Sequence, residues 1–164
     1  MPLPHDFDAE SLYLRDHWFV HDLVSVDPEA RTLHARTDTT QLGGFVDAQR
    51  TVSGHAKHLP AAIAIQITGT LGQLYAVYAL GLRATEGWCG YGTHIKDARF
   101  GKMGLVGPPL ELHLSAHKQR RFRGNWFVEF TFRFEQEGED VYRSNQWACW
   151  MQQEACAAGT PPLA

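Results

Sequence analysis

The chain has 164 residues, 44 % of them hydrophobic and 20 % charged, with a formal net charge of −3. A chain of this length can withdraw roughly 70 % of its unfolded surface from water, so one globular domain with a real core is expected. The acidic balance argues against a general nucleic-acid binder. Cys89, Cys149 and Cys156 stand in no metal-binding spacing; they fit a reducing cytoplasm rather than a disulfide scaffold, and no metal is expected. The opening MPLPHDFDAE lacks the basic and apolar blocks of a signal peptide.

In chain order, residues 1–16 are mixed, with a short helix expected near Ala9 to Arg15. Trp18 to Val26 has strand composition. Asp27-Pro28-Glu29-Ala30 is a turn, because proline presets the dihedral and Asp bonds back to the backbone. Arg31 to Thr37 alternates, completing a hairpin. Residues 38–57, which contain Gly43-Gly44-Phe45 and Thr51 to His55, form a long loop with one short strand, running into the helix.

The run Ala61 to Leu80 is the one long helix, opened by Pro60 and closed by Gly81. Ile63, Ile67, Leu71, Leu74 and Tyr78 recur on one face. Ala62, Gly69, Gly72, Ala76 and Ala79 make a second stripe almost without side chains, which predicts close packing by a sheet or a second copy of the helix. A membrane span is the rival reading of an apolar run this long, but Gln66, Gln73, Thr68 and Thr70 favour a soluble core.

After Gly81 the period changes. Strands are expected over Gly87 to Phe100, Leu110 to Ala116, Trp126 to Glu135 and Val141 to Met151, with turns at Arg120 to Asn125 and Glu137 to Asp140. The Pro-rich tail, 152–164, is expected to be flexible, leaving a core of about 18–151 in a single domain of 1–164. A helix apolar nearly all round needs a sheet that curls about it. The fold class is therefore α+β, a curved antiparallel sheet wrapped around one long central helix.

That element order, with IKDARFGKMGLVGPPLELHL, resembles the hotdog fold. Ala98-Arg99-Phe100, Gly107-Pro108 and Leu110-Glu111-Leu112 are similar to a segment of the 3-hydroxyacyl-carrier-protein dehydratases. Those enzymes also have Gly-His before a helix opening Met-Pro-Gly, with an acid six residues after the proline; here Gly54-His55 and Leu59-Pro60-Ala61 match, and the sixth residue is Gln66. The spacing is closer to long-chain fatty acyl-CoA thioesterases, which carry a catalytic Asn eleven residues after the histidine, where this chain again has Gln66. Their two tyrosines fall near Gln49 and Thr70, neither of which is tyrosine.

The resemblance implies a substrate acyl group on coenzyme A or a carrier protein, no further cofactor, and a site between two subunits near the helix N-terminus. There the unbonded N–H groups and the helix dipole can hold a thioester carbonyl as it gains charge. His55 is the candidate base and Gln66 the candidate donor to the carbonyl or to water; an amide has no accessible pKa and exchanges no proton. His58, Thr70 and Gln49 are further catalytic or substrate-binding candidates. Arg99, Lys102, Arg120, Arg121 and Arg123 are candidates for the phosphates of coenzyme A or a carrier arm. Asp47 and Asp97 are acids that the sequence alone does not place, and Cys89 has no partner that would make it a nucleophile.

Three functions follow. Thioester hydrolysis comes first, because the helix offers an amide and no acid. Dehydration of a 3-hydroxyacyl thioester, or a related enoyl-thioester addition, is the alternative, and non-catalytic acyl binding the third. The glycine stripe and open sheet edges predict a two-fold dimer, or a stack of dimers, in the cytoplasm, without nucleic acid or membrane as partner. Acyl chain, carrier and pathway are not written in these residues.

Overall fold

Alternation in the second half of the chain builds one sheet. The computed structural model describes residues 1–152, and the expected flexible tail lies, past Gln152, outside the described residues. Strands β1 (Asp22–Asp27), β2 (Thr32–Thr37), β3 (Trp88–Phe100), β4 (Leu110–Phe122), β5 (Asn125–Gln136) and β6 (Glu139–Gln152) pair antiparallel in the order β1-β2-β4-β5-β6-β3. A four-residue helix α1 (Gly44–Asp47) and the long helix α2 (Ala61–Leu80) complete the order.

The inner face of the sheet follows from the strand period. Leu33 faces Leu114 and Ala35 faces Leu112 across β2 and β4, Leu112 and Leu114 then face Phe134 and Phe132, and Phe134 faces Tyr142. All of these are buried. They form a continuous apolar layer against α2, whose Ile63, Ile67, Leu71 and Leu74 are buried as well. Pro60 caps α2, and Gly81, at φ 70°, ends it in the left-handed conformation that glycine adopts without strain. The helix is long and apolar enough to cross a membrane, but most of it is buried inside this sheet.

Several expected boundaries shift. β1 begins at Asp22, because Trp18 and Val20 turn inward to the core instead of pairing. The segment 38–57 holds a 3-10 turn (Thr39–Gln41) and α1 in place of the expected short strand. β4 continues past Ala116 to Phe122 after a bulge between Ala116 and Lys118, so the expected turn at Arg120 shrinks to Arg123-Gly124. The short helix expected near Ala9 to Arg15 is instead two 3-10 turns, His5–Ala9 and Arg15–His17, since Leu12-Tyr13-Leu14 has no helical period. Cys89 is disulfide-bonded, against the expectation of free thiols, while Cys149 is free and burial pushes its thiol up to about 11.

The N-terminal segment is fastened by buried polar groups. Glu10 is 3 % exposed. Its carboxylate accepts from the Thr85 hydroxyl at 2.7 Å, the Thr85 amide at 3.2 Å and Arg83 at 3.2 Å. Its carbonyl accepts from Gln73 Nε2 at 3.1 Å, and Gln73 Oε1 accepts from the Trp150 indole at 3.3 Å. Burial alone would raise the Glu10 pKa, but the Thr85 and Arg83 bonds outweigh it and hold the carboxyl below its usual range.

Two outcomes follow. A depressed carboxyl stabilises the fold above its unfolded pKa, about 4.3, and that contribution is lost as pH falls through the lower folded value. Glu10→Gln should therefore lower stability by about 1–3 kcal/mol at neutral pH, read by urea unfolding, and the gap to wild type should close below about pH 4. Gly90 lies under Trp150: a Cβ there would meet the indole nitrogen at 2.5 Å. Gly90→Ala should lower stability by about 1–3 kcal/mol in a thermal scan, the usual range for overpacking.

Candidate active site

The glycine stripe of α2 opens a space instead of closing one. A Cβ on Gly72 would just touch Phe130, at 4.0 Å, and one on Gly69 would meet nothing within 4 Å. Gly69 and Gly72 face Gly90 and Gly92 of β3 across a cleft of about 400 Å³, floored by Phe130 and Trp150. The backbone glycines leave room where side chains would otherwise interdigitate. A second cleft of about 540 Å³ lies at the start of α2, lined by Ala62 and Ile63 of its first turn and by Gly43 to Phe45. The first N–H groups of a helix have no carbonyl in a preceding turn to bond, so this cleft meets the positive end of α2.

Gln66 and Tyr13 line both clefts and so stand where the two adjoin. Gln66 is half-buried, and among the described residues its amide makes no hydrogen bond. The other polar groups of α2 are committed. Thr70 Oγ1 donates to the Trp18 carbonyl at 2.9 Å, and Thr68 Oγ1 donates to the Ile65 carbonyl at 2.7 Å.

The remaining expected site residues lie elsewhere. His55 is exposed on a turn, its backbone amide bonded to Val52, and it lines neither of these clefts. Gln49 is occupied at both ends: its Oε1 accepts from the His58 amide at 3.0 Å and its Nε2 donates to the His58 carbonyl at 2.7 Å. That clamp, with a bridge between His58 and Leu105, fixes the entry to α2. Asp47 is exposed on α1.

The basic candidates divide into two groups. Lys102 sits beside Glu139 at 3.1 Å, and Arg99 beside Asp97 at 3.5 Å. This end of the sheet adjoins the start of α2, where the Leu59 amide bonds Gly104. Arg120 and Arg121 lie opposite Phe127 and Trp126, and Arg123 stacks over Phe122 at 5.1 Å. Trp126 pairs with Trp150, whose indole bonds Gln73 in the second half of α2, so this second group stands well away from the start of the helix. One phosphate cannot meet both groups.

Sequence reasoning missed Tyr13, Asp16 and His17, which share the second cleft with Gln66. Only an adjacent acid and imidazole in an aperiodic stretch pointed to them. Their place depends on the Thr70 bond to Trp18, 52 residues away in sequence.

No family model matches the sequence, and no curated protein matches it. Solved structures do. A chain of a dehydratase heterocomplex from Xenorhabdus doucetiae aligns at TM-score 0.63 and 13 % identity, over 98 % of this chain and 99 % of that one. A glutamine-to-alanine mutant of a thioesterase from Pseudomonas aeruginosa aligns at 0.56 and 13 %, over 81 % of each chain. A thioesterase from Haemophilus influenzae aligns at 0.53 and 15 %, over 84 % of this chain and 81 % of that one. At such identities the likeness concerns architecture, and the architecture is clear: six antiparallel strands curled around one central helix make this chain a hotdog fold.

Proposed function

We propose that the chain hydrolyses an acyl thioester carried on coenzyme A or on the phosphopantetheine arm of a carrier protein. The observation that carries this reading is the uncommitted Gln66 amide where the two clefts adjoin. Its Nε2–H groups, with the first N–H groups of α2, are donors suited to a thioester oxygen that gains charge as water attacks. The first cleft, floored by Phe130 and Trp150, takes the acyl group. The thioesterases among the structural neighbours support the same chemistry.

A two-fold dimer belongs to this proposal. β3 is an edge of the sheet and exposes Tyr91 and Ile95, at 39 % and 44 %; Ile65 of α2 is exposed as well, at 42 %. An edge strand with exposed apolar residues asks for a partner strand. His55, outside both clefts of its own chain, enters the reaction only through such a second copy. Dehydration of a 3-hydroxyacyl thioester is the second reading. The Asp16 carboxylate in the Gln66 cleft favours it, as does the alignment along nearly the whole of a dehydratase-complex chain.

Free-thiol release from saturated acyl thioesters, against enoyl absorbance from 3-hydroxyacyl thioesters, separates the two readings. Gln66→Ala should lower hydrolysis about 100-fold, the loss expected for one donor aimed at developing charge. Gln66→Glu should lower it too, since a carboxylate repels the oxyanion; if enoyl product rises instead, the dehydratase reading replaces this one. Light scattering at micromolar concentration should give twice the mass of one chain, and a monomer would overturn the dimer.

A further inference from the structure

We infer that His17 is the general base that activates water for this reaction, acting in the same chain as Gln66. The inference rests on the thioester reading above. His17, exposed at the mouth of the second cleft, and the half-buried Gln66 line one space at the start of α2. The backbone beside His17 is anchored, since the residue that follows it is held from two sides. The Trp18 carbonyl accepts from Thr70 Oγ1 at 2.9 Å, and Thr70 lies one turn beyond Gln66 on the same face of α2. The Trp18 indole donates to the Tyr13 carbonyl at 2.7 Å, closing the loop from the other side. Trp18 itself is 1 % exposed.

Backbone strain marks the same place. Phe19, two residues after His17 and also lining the cleft, holds φ at 55°, a conformation that bulky side chains avoid. Thr37 Oγ1 donates to its carbonyl and helps keep it there.

Among the described residues lining the cleft, Asp16 is the one carboxylate beside His17; the first turns of α2 and the Gly43 to Phe45 segment contribute no charged side chain. Arg15, next in the same 3-10 turn, is turned away to Asp8 at 2.6 Å. In the step inferred, a water proton passes to a ring nitrogen of His17 as the water oxygen bonds the thioester carbon. The carbonyl oxygen takes the negative charge, facing Gln66. The carbon–sulfur bond then breaks, the thiolate leaves and takes the proton from the imidazolium, and the products are a carboxylic acid and a free thiol.

The test uses the full chain with acetyl- to palmitoyl-coenzyme A, read by thiol release, and a non-hydrolysable thioether analogue of the best substrate, read by calorimetry. His17→Ala and His17→Gln should lose at least 100-fold in kcat while binding the thioether within about threefold of wild type, and the loss should exceed that of His55→Ala. The fall in activity on acidification that an imidazole base imposes should vanish with the residue. Circular dichroism and melting checks both variants, and glutamine keeps the side chain's bulk. Turnover within threefold of wild type in both variants overturns the inference, as does parallel loss of binding and turnover, which marks a wall rather than a base. A wild-type chain that binds the analogue yet hydrolyses none of these esters overturns the thioester reading and this step with it. Normal hydrolysis in the His17 variants overturns the step alone.

Discussion

The burial of α2 inside the curled sheet is the constraint from which the rest of the structure follows. Strands β2, β4, β5 and β6 turn buried apolar residues toward that helix, and most of its length is left with few exposed positions for polar groups. A polar atom buried without a partner costs several times what a made hydrogen bond contributes. The chain answers with its first twenty residues. Trp18 offers a carbonyl to Thr70, Glu10 offers one to Gln73, and Gln73 then receives the Trp150 indole. The N-terminal segment is thus a wall of the helix compartment. Gln66 is the exception, and its open amide is informative because its neighbours along the helix are so fully answered.

Much of the scaffold is legible from local signals. Pro60 and Gly81 bracket α2 because one presets a dihedral and the other tolerates a left-handed one. The alternation Leu110, Leu112, Leu114 marks β4, and the same period marks β5. Where local signals fail, a distant contact has decided. The run from Lys118 to Phe122 lost its alternation at a bulge, so its pairing with β5 is invisible in composition. The aperiodic stretch around Leu12 takes its course from Glu10, which is held by Arg83 and Thr85 more than seventy residues on.

The site divides in the same way. Gln66 could be singled out because it sits at a fixed spacing in a helix that the sequence announces. Gln49 looked equally available, yet its amide is spent on the His58 backbone, a use that only tertiary geometry reveals. His17 had no spacing relation to the helix at all. It shares a cleft with Gln66 through contacts remote in sequence, among them the bond from Thr70 to the Trp18 carbonyl. Proximity made by folding is what pattern reading cannot supply.

The glycines of α2 carry a further consequence. Each lowers the helix's intrinsic preference by about 1 kcal/mol relative to alanine. At Gly69 an added methyl group would touch nothing, so packing does not forbid it. The cheapest way for this chain to become more stable is therefore also a way to fill its own cleft. A lineage selected for robustness alone would drift toward a narrower cavity, and a chain that keeps these glycines holds open space against its own helical preference. Cleft size in such a protein is a heritable dial turned by single methyl groups, and stability pulls that dial steadily in one direction.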